Sequence, residues 1–133
     1  MKLTGGCYCG AIRYEADGDP IMKAQCHCRE CQYISGGAPN VIVCMPLGGF
    51  SYTKGAPKTF TRTDIERAVT REFCANCGAA LAAKSPGFPA AIIKVGTLDN
   101  PSAASPDIAI YTVDKQPFHH IPEGMPAFER LPG

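Results

Sequence analysis

At 133 residues the chain has the size of one domain, and its apolar share of 45% is that of a globular protein, not a disordered one. A formal charge of +1 gives no net basic charge to draw in nucleic acid. No apolar run is long enough to cross a membrane, and Met1-Lys2-Leu3-Thr4-Gly5-Gly6 lacks the apolar core of a secretion signal.

The expectation is therefore one cytoplasmic domain spanning 1–133, with its thiols kept reduced. Eight cysteines in that setting read as metal ligands or reactive thiols before disulfides. The 14 Gly and 12 Pro are spread along the chain and predict short elements joined by turns.

In chain order, residues 3–10 read as an extended segment that puts Cys7 and Cys9 on one face and Tyr8 on the other, with Gly10 free to turn. Ala11–Ala16 alternates as a strand, with Ile12 and Tyr14 on one side, and Asp17-Gly18-Asp19-Pro20 is a turn. Ile21–Cys28 reads as the next strand and leads into Cys26-His27-Cys28-Arg29-Glu30-Cys31. Alternation puts Cys26 and Cys28 together and turns His27 away, as an exposed or hydrogen-bonded side chain. Arg29-Glu30 brings Cys31 back to the same point, and Gln32–Ser35 continues as a helical turn.

Val41–Met45 is apolar on both faces, as in a buried strand, and Cys44 within it packs by default as a small hydrophobe. Phe50–Thr53, Lys58–Thr61 and Ala68–Phe73 follow as strands. The last of these leads into Cys74-Ala75-Asn76-Cys77-Gly78, a C-x-x-C knuckle closed by glycine. Ala79–Ala83, Ala90–Val95 and Ile108–Val113 complete the strands. From Gln116 the tail carries four prolines and reads as an extended, Pro-rich C-terminal wrap with His119 and His120 on its surface.

The cysteine spacings divide into two sets. Cys7 and Cys9 with Cys74 and Cys77 make four thiolates, a closed structural zinc site. Tying segments ~65 residues apart removes roughly 4 kcal/mol of unfolded-state entropy, by the arithmetic used for disulfides. Cys26, Cys28 and Cys31 remain as three thiolates, one ligand short of tetrahedral zinc. If Cys44 supplies the fourth ligand, the site is closed and structural, and the protein is a zinc-stabilised binding module. If it does not, the position is open and catalytic. Three thiolates make zinc a weak Lewis acid for water but a good holder of a further thiolate. A third reading has the trio cycling through disulfides.

Four segments occur in order: Gly5-Gly6-Cys7-Tyr8-Cys9-Gly10, Cys26-His27-Cys28-Arg29-Glu30-Cys31-Gln32, Arg71-Glu72-Phe73-Cys74-Ala75-Asn76-Cys77-Gly78 and Gly96-Thr97-Leu98-Asp99-Asn100-Pro101. Together they resemble the glutathione-dependent formaldehyde-activating enzyme family, also called centromere-protein-V-like, from about Gly5 to the tail. The resemblance implies a mainly β fold, the β-tent, built of small twisted antiparallel sheets around a structural zinc on Cys7, Cys9, Cys74 and Cys77. It also implies a catalytic zinc on Cys26, Cys28 and Cys31.

The implied partners are a small thiol such as glutathione and a small aldehyde, with no nucleic acid and no membrane. The implied activity is that of a carbon–sulfur lyase run in the direction of S-(hydroxymethyl)glutathione. The chain departs from its relatives in having no Trp and in being compact. The two carboxylates of glutathione call for cations such as Arg13, Arg29, Arg62, Lys84 or Lys94. Asp99 is expected to bond its own backbone, and Ser35–Gly37 to lie near the pocket.

Overall fold

The computed structural model describes residues 1–132. Three strands, β1 (Lys2–Gly6), β2 (Arg13–Asp17) and β5 (Phe50–Lys54), form a small antiparallel sheet in the order β1-β2-β5. The larger sheet has β3 (Met22–Cys26), β4 (Asn40–Pro46), β6 (Lys58–Thr61), β7 (Thr70–Phe73), β8 (Ala80–Lys84), β9 (Ala90–Lys94) and β10 (Ile108–Ile110). Its order is β10-β3-β4-β9-β8-β7-β6. A short helix, α1 (Arg29–Ser35), follows β3 and ends on Gly36 in the left-handed conformation.

Both faces of the large sheet are put to use, which is why β4 reads as apolar throughout. Val43 and Met45 point one way and pack with Ile93, Ala91 and Leu81 against Leu3, Tyr14 and Ala16 of the small sheet. That layer is the main core. Ile42 and Cys44 point the other way, with Ala24, Cys26, Ala90 and Ile110, and form a second apolar floor beneath the Cys26–Cys31 loop. The period of two in a strand thus divides one run of residues between a core and a site.

Three local expectations are corrected. β1 ends at Gly6, so Cys7 and Cys9 lie in a turn and not on a strand face. The Gly10 N–H donates to the Cys7 carbonyl at 3.2 Å, and Gly10 takes a φ of 82°, which closes the chain into a knuckle. The last strand stops at Ile110 because Tyr111 turns left-handed, with a φ of 55°. β10 also pairs parallel to β3, whereas every other strand pairing is antiparallel among the described residues. A parallel neighbour needs a long crossover, and the 3-10 turns at Val95–Thr97 and Pro101–Ala104 supply it.

The tail runs alongside β10. The Ala109 N–H donates to Pro126 O and the Phe128 N–H to Ala109 O, each at 2.9 Å.

Candidate metal centres and the pocket above them

The first cluster sits where the two sheets meet. Cys7 and Cys9 come from the β1–β2 turn, Cys74 and Cys77 from the β7–β8 turn, and the four sulfurs lie within 4.8 Å of one another. Cys7 Sγ is 3.6 Å from Cys9 Sγ, which is 3.8 Å from Cys74 Sγ. The edge of a tetrahedron with metal–sulfur arms of about 2.3 Å is about 3.8 Å, so the spacing suits zinc.

The two turns are built alike. The Cys7 N–H donates to Ile12 O and the Cys74 N–H to Ala79 O, both at 3.0 Å, and Gly10 and Gly78 take positive φ. Backbone N–H groups also point at sulfur, from Ile12 to Cys7 at 3.2 Å and from Cys77 to Cys74 at 3.5 Å. The Asn76 amide donates to Cys9 Sγ at 3.2 Å and holds that thiol below its ordinary value.

The second cluster is the trio. Sulfurs of Cys26, Cys28 and Cys31 also lie within 4.8 Å of one another, at the end of β3 and the start of α1. Cys28 caps α1, its sulfur accepting the Cys31 N–H at 3.2 Å, and the Asn40 amide lies 3.5 Å from Cys31 Sγ. Hydrogen bonds from Cys26 and Cys28 hold the Cys31 thiol down at about 3 against the cost of burial. In return the Cys26 thiol is pushed up, first by Cys28 and then by Cys31. Three sulfurs this close resist ionising together, and a bound cation removes that conflict. Both clusters can hold a metal ion.

Cys44 does not join the trio. It lies on the same face of β4 as Asn40 but four residues along, a run of ~13 Å, and pairs in register with Met22 and not with Cys26. It is fully buried and its thiol is pushed up by that burial to about 12, as expected of a packing residue. A binding module closed by Cys44 is therefore not what the chain builds. All eight cysteines are free thiols.

A cavity of about 590 Å³ opens over the trio. Met22, Ile42, Phe88, Ile92 and Ile110 give it an apolar wall, and Arg29, Arg71 and Lys94 contribute cations. Arg71 is held by Glu30 at 2.8 Å. Arg29 bonds Gln32 Oε1 and lies 5.2 Å above the Tyr33 ring. Lys94 is only 7% exposed, and among the described residues its Nζ is the buried side-chain nitrogen or oxygen without a hydrogen-bond partner. Burial pushes its ammonium down to about 8, while Cys31, Cys26 and Cys28 pull it back up.

The other candidate cations are engaged elsewhere. Arg13 pairs with Asp99, Arg62 with Asp64 at 2.7 Å, and Lys84 with Glu72 at 2.9 Å. Asp99 accepts from Arg13 and, at 2.7 Å, from the Thr4 hydroxyl, so it joins the β1–β2 hairpin to the β9–β10 connection where a self-contained turn was expected. Ser35 and Gly37 do not line the cavity; the Ser35 hydroxyl donates to Cys31 O at 2.8 Å.

His119 is corrected as well: it is buried, not on the surface, and meets His27. Its Nε2–H donates to Gly37 O at 2.7 Å, which leaves Nδ1 as an acceptor. His27 Nδ1–H fills that acceptor at 2.9 Å, and the Gln25 amide donates to His27 Nε2 at 3.1 Å. Every ring nitrogen has a partner in this arrangement with His27 neutral. Burial lowers the His27 pKa in agreement. The Gln32 amide completes the clip by donating to His27 O at 2.9 Å and Asp114 O at 3.0 Å. Nothing in the sequence around His119 signals this, because its partners His27 and Gly37 lie between β3 and α1 and on the loop after α1.

Two sulfur clusters on a two-sheet β scaffold, one of four ligands and one of three beneath a pocket, define a cysteine-rich, metal-competent β protein. The chain belongs to the family described as "Glutathione-dependent formaldehyde-activating enzyme", which it matches over residues 2–114. A Halomonas elongata protein whose name provisionally gives it the same activity is 29% identical over 94 residues, 67% of this chain. The chain spans 60% of the length of that relative. A crystal structure of a Rhodobacter sphaeroides protein superposes with a TM-score of 0.60 at 22% identity, over 77% of this chain and 94% of that one, a likeness of fold.

Proposed function

We propose that this protein is a zinc-dependent, carbon–sulfur lyase-type enzyme that joins a small thiol to a small aldehyde, or cleaves the adduct. Glutathione and formaldehyde, giving S-(hydroxymethyl)glutathione, are the substrates the family name favours. In this reading the scaffold is a β-tent, Cys7, Cys9, Cys74 and Cys77 hold a structural zinc, and Cys26, Cys28 and Cys31 hold a catalytic one. A reducing cytoplasm suits eight free thiols.

One observation carries the proposal: the four-sulfur cluster is complete, whereas the trio has three sulfurs and faces a cavity. A zinc ion at the trio supplies the charge that keeps a substrate thiol ionised near neutral pH. The chain does the rest. N–H donors from Cys31 and Asn40 hold the ligand sulfurs in place. The apolar wall excludes water from a reactive adduct and strengthens every charge interaction inside. Arg29 and Arg71, the more exposed cations of the lining, suit the carboxylates of a peptide thiol.

The test is to count zinc on protein purified under reducing conditions, titrate glutathione, and assay adduct formation from formaldehyde. Two zinc ions per chain, thiol binding that is lost in Cys28→Ser, and catalysed adduct formation are expected. Two four-sulfur sites that ignore added thiol would sink the reading.

A further inference from the structure

Lys94 is the cation of the pocket to which the proposed function gives no role. We infer that its ammonium is the group that takes the aldehyde oxygen, so that Lys94 is a catalytic residue of the thiol–aldehyde reaction. The inference rests on the proposed function and adds to it the place of the second substrate.

Three observations place it there. Lys94 is 93% buried by its 7% exposure, lines the cavity, and has no hydrogen-bond partner among the described residues, sulfur included. A buried ammonium left alone is costly, so a partner is to be expected when the site is filled. Register puts Lys94 opposite Ile42, two residues along β4 from Asn40, whose amide touches Cys31 Sγ. Ile42, Asn40 and Lys94 thus share the face that carries the trio. Finally, the more exposed cations of the lining are already held, Arg71 by Glu30 and Arg29 by Gln32 and Tyr33, while Lys94 is the buried one. A thiol seated at the trio and attacking a small aldehyde puts the oxygen two bonds from its sulfur. The carboxylates of a peptide thiol lie many bonds away.

The step balances. A sulfur lone pair forms the C–S bond, and the carbonyl π pair moves onto oxygen. The Lys94 ammonium gives that oxygen a proton, and the resulting amine regains one from water. In cleavage the amine removes the hydroxyl proton, the C=O bond re-forms, and the C–S pair returns to sulfur. A preorganised donor at a developing oxyanion is the usual large electrostatic contribution to such reactions.

The experiment compares zinc-loaded wild type with Lys94→Met and Lys94→Gln by calorimetry. The probes are ethanethiol, glutathione and thioacetate, whose oxygen is fixed two bonds from sulfur. In Lys94→Met thioacetate should bind about 10- to 100-fold more weakly, the size of one charge-assisted hydrogen bond. Ethanethiol and glutathione should change by less than about twofold, zinc content should hold, and thermal stability should stay level or rise as an unpartnered buried charge is removed. Lys94→Gln, which keeps a donor, should fall between. In turnover kcat should drop with the KM for thiol little changed.

An equal loss for all probes, or no loss for thioacetate, overturns the inference. A selective loss for glutathione reassigns Lys94 to a carboxylate and overturns it too. Lost zinc with a lower melting temperature would make Lys94 a counter-charge to the trio, again against it. If wild type binds none of the thiols, the proposed function itself fails, a result separable from all of these.

Discussion

Replacing His119 tests how the Cys26–Cys31 loop is held. His119→Ala strips three groups of a partner: the His27 Nδ1–H, the Gly37 carbonyl and the Gln116 N–H, which donates to His119 Nδ1 at 3.2 Å. Water can reach the last two. The His27 donor stays buried, and leaving it unmade costs about 1–3 kcal/mol. The vacated ring, packed 4.9 Å from His27 and 5.1 Å from Phe118, adds a cavity cost of about 1 kcal/mol. The expected loss is about 2–4 kcal/mol, a fall in Tm on the order of 10 °C. His119→Phe, which fills the space but makes no bonds, should lose about 1–3 kcal/mol. His120→Ala, at an exposed neighbour, should stay within about 0.5 kcal/mol of wild type. Urea unfolding of the three variants reads these directly, and a metal competition assay should show the trio losing affinity while the four-cysteine site keeps its own. If His119→Ala matches His120→Ala in stability, or both metal sites weaken alike, the buried relay is not what positions the loop.

Further outcomes are expected elsewhere. Cys9→Ser opens the cluster that joins positions 65 residues apart, and should cost one metal equivalent and at least roughly 4 kcal/mol of stability, read by metal analysis and denaturation; a variant that keeps both would remove the cluster as a staple. Cys44→Val should leave metal content and thiol binding intact and shift stability by less than about 1.5 kcal/mol, and a missing metal equivalent would restore Cys44 as a ligand. Arg13, followed by Thr4, holds the Asp99 carboxyl at about 2. Its folded value lies below the ordinary 3.8, so its stabilisation is present above 3.8 and lost as pH falls through about 2. Asp99→Asn should therefore flatten the acid limb of the stability curve in that window, and an unaltered limb would show that the pair contributes nothing measurable.

What the sequence made legible was local. The division of seven cysteines into four and three follows from spacing, and the structure gathers both sets. β4 could be read as buried on both faces because its apolar run ignores the strand period. The turn of His27 away from Cys26 and Cys28 came from alternation, and the hydrogen-bonded option is the one found. The rest was set by long-range register. His119 lies 92 residues from His27, and nothing near either predicts their meeting. Arg71 reaches the pocket from β7, five strands from Cys26 when the sheet is counted inclusively. The parallel pairing of β10 depends on the crossover before it, and its early end depends on one left-handed residue, Tyr111, which costs about 1–2 kcal/mol and carries no sequence signal.

The two clusters share one chemistry but make unequal demands on the fold. The closure entropy removed by a cross-link grows with the loop it closes. A metal held by Cys7, Cys9, Cys74 and Cys77 would tie the small sheet to the β7–β8 hairpin across 65 residues, so that site would bear on folding. The trio spans Cys26–Cys31 and closes almost no loop. That stretch is already fixed by the Cys28 cap, the His27–His119 contact and the two bonds of Gln32. Because protein contacts and not metal set its shape, an ion bound there would be free to exchange a ligand without loosening the fold. Burial of the clip has the same consequence: its hydrogen bonds, shielded from water, hold the Cys26–Cys31 loop whether or not an ion is bound.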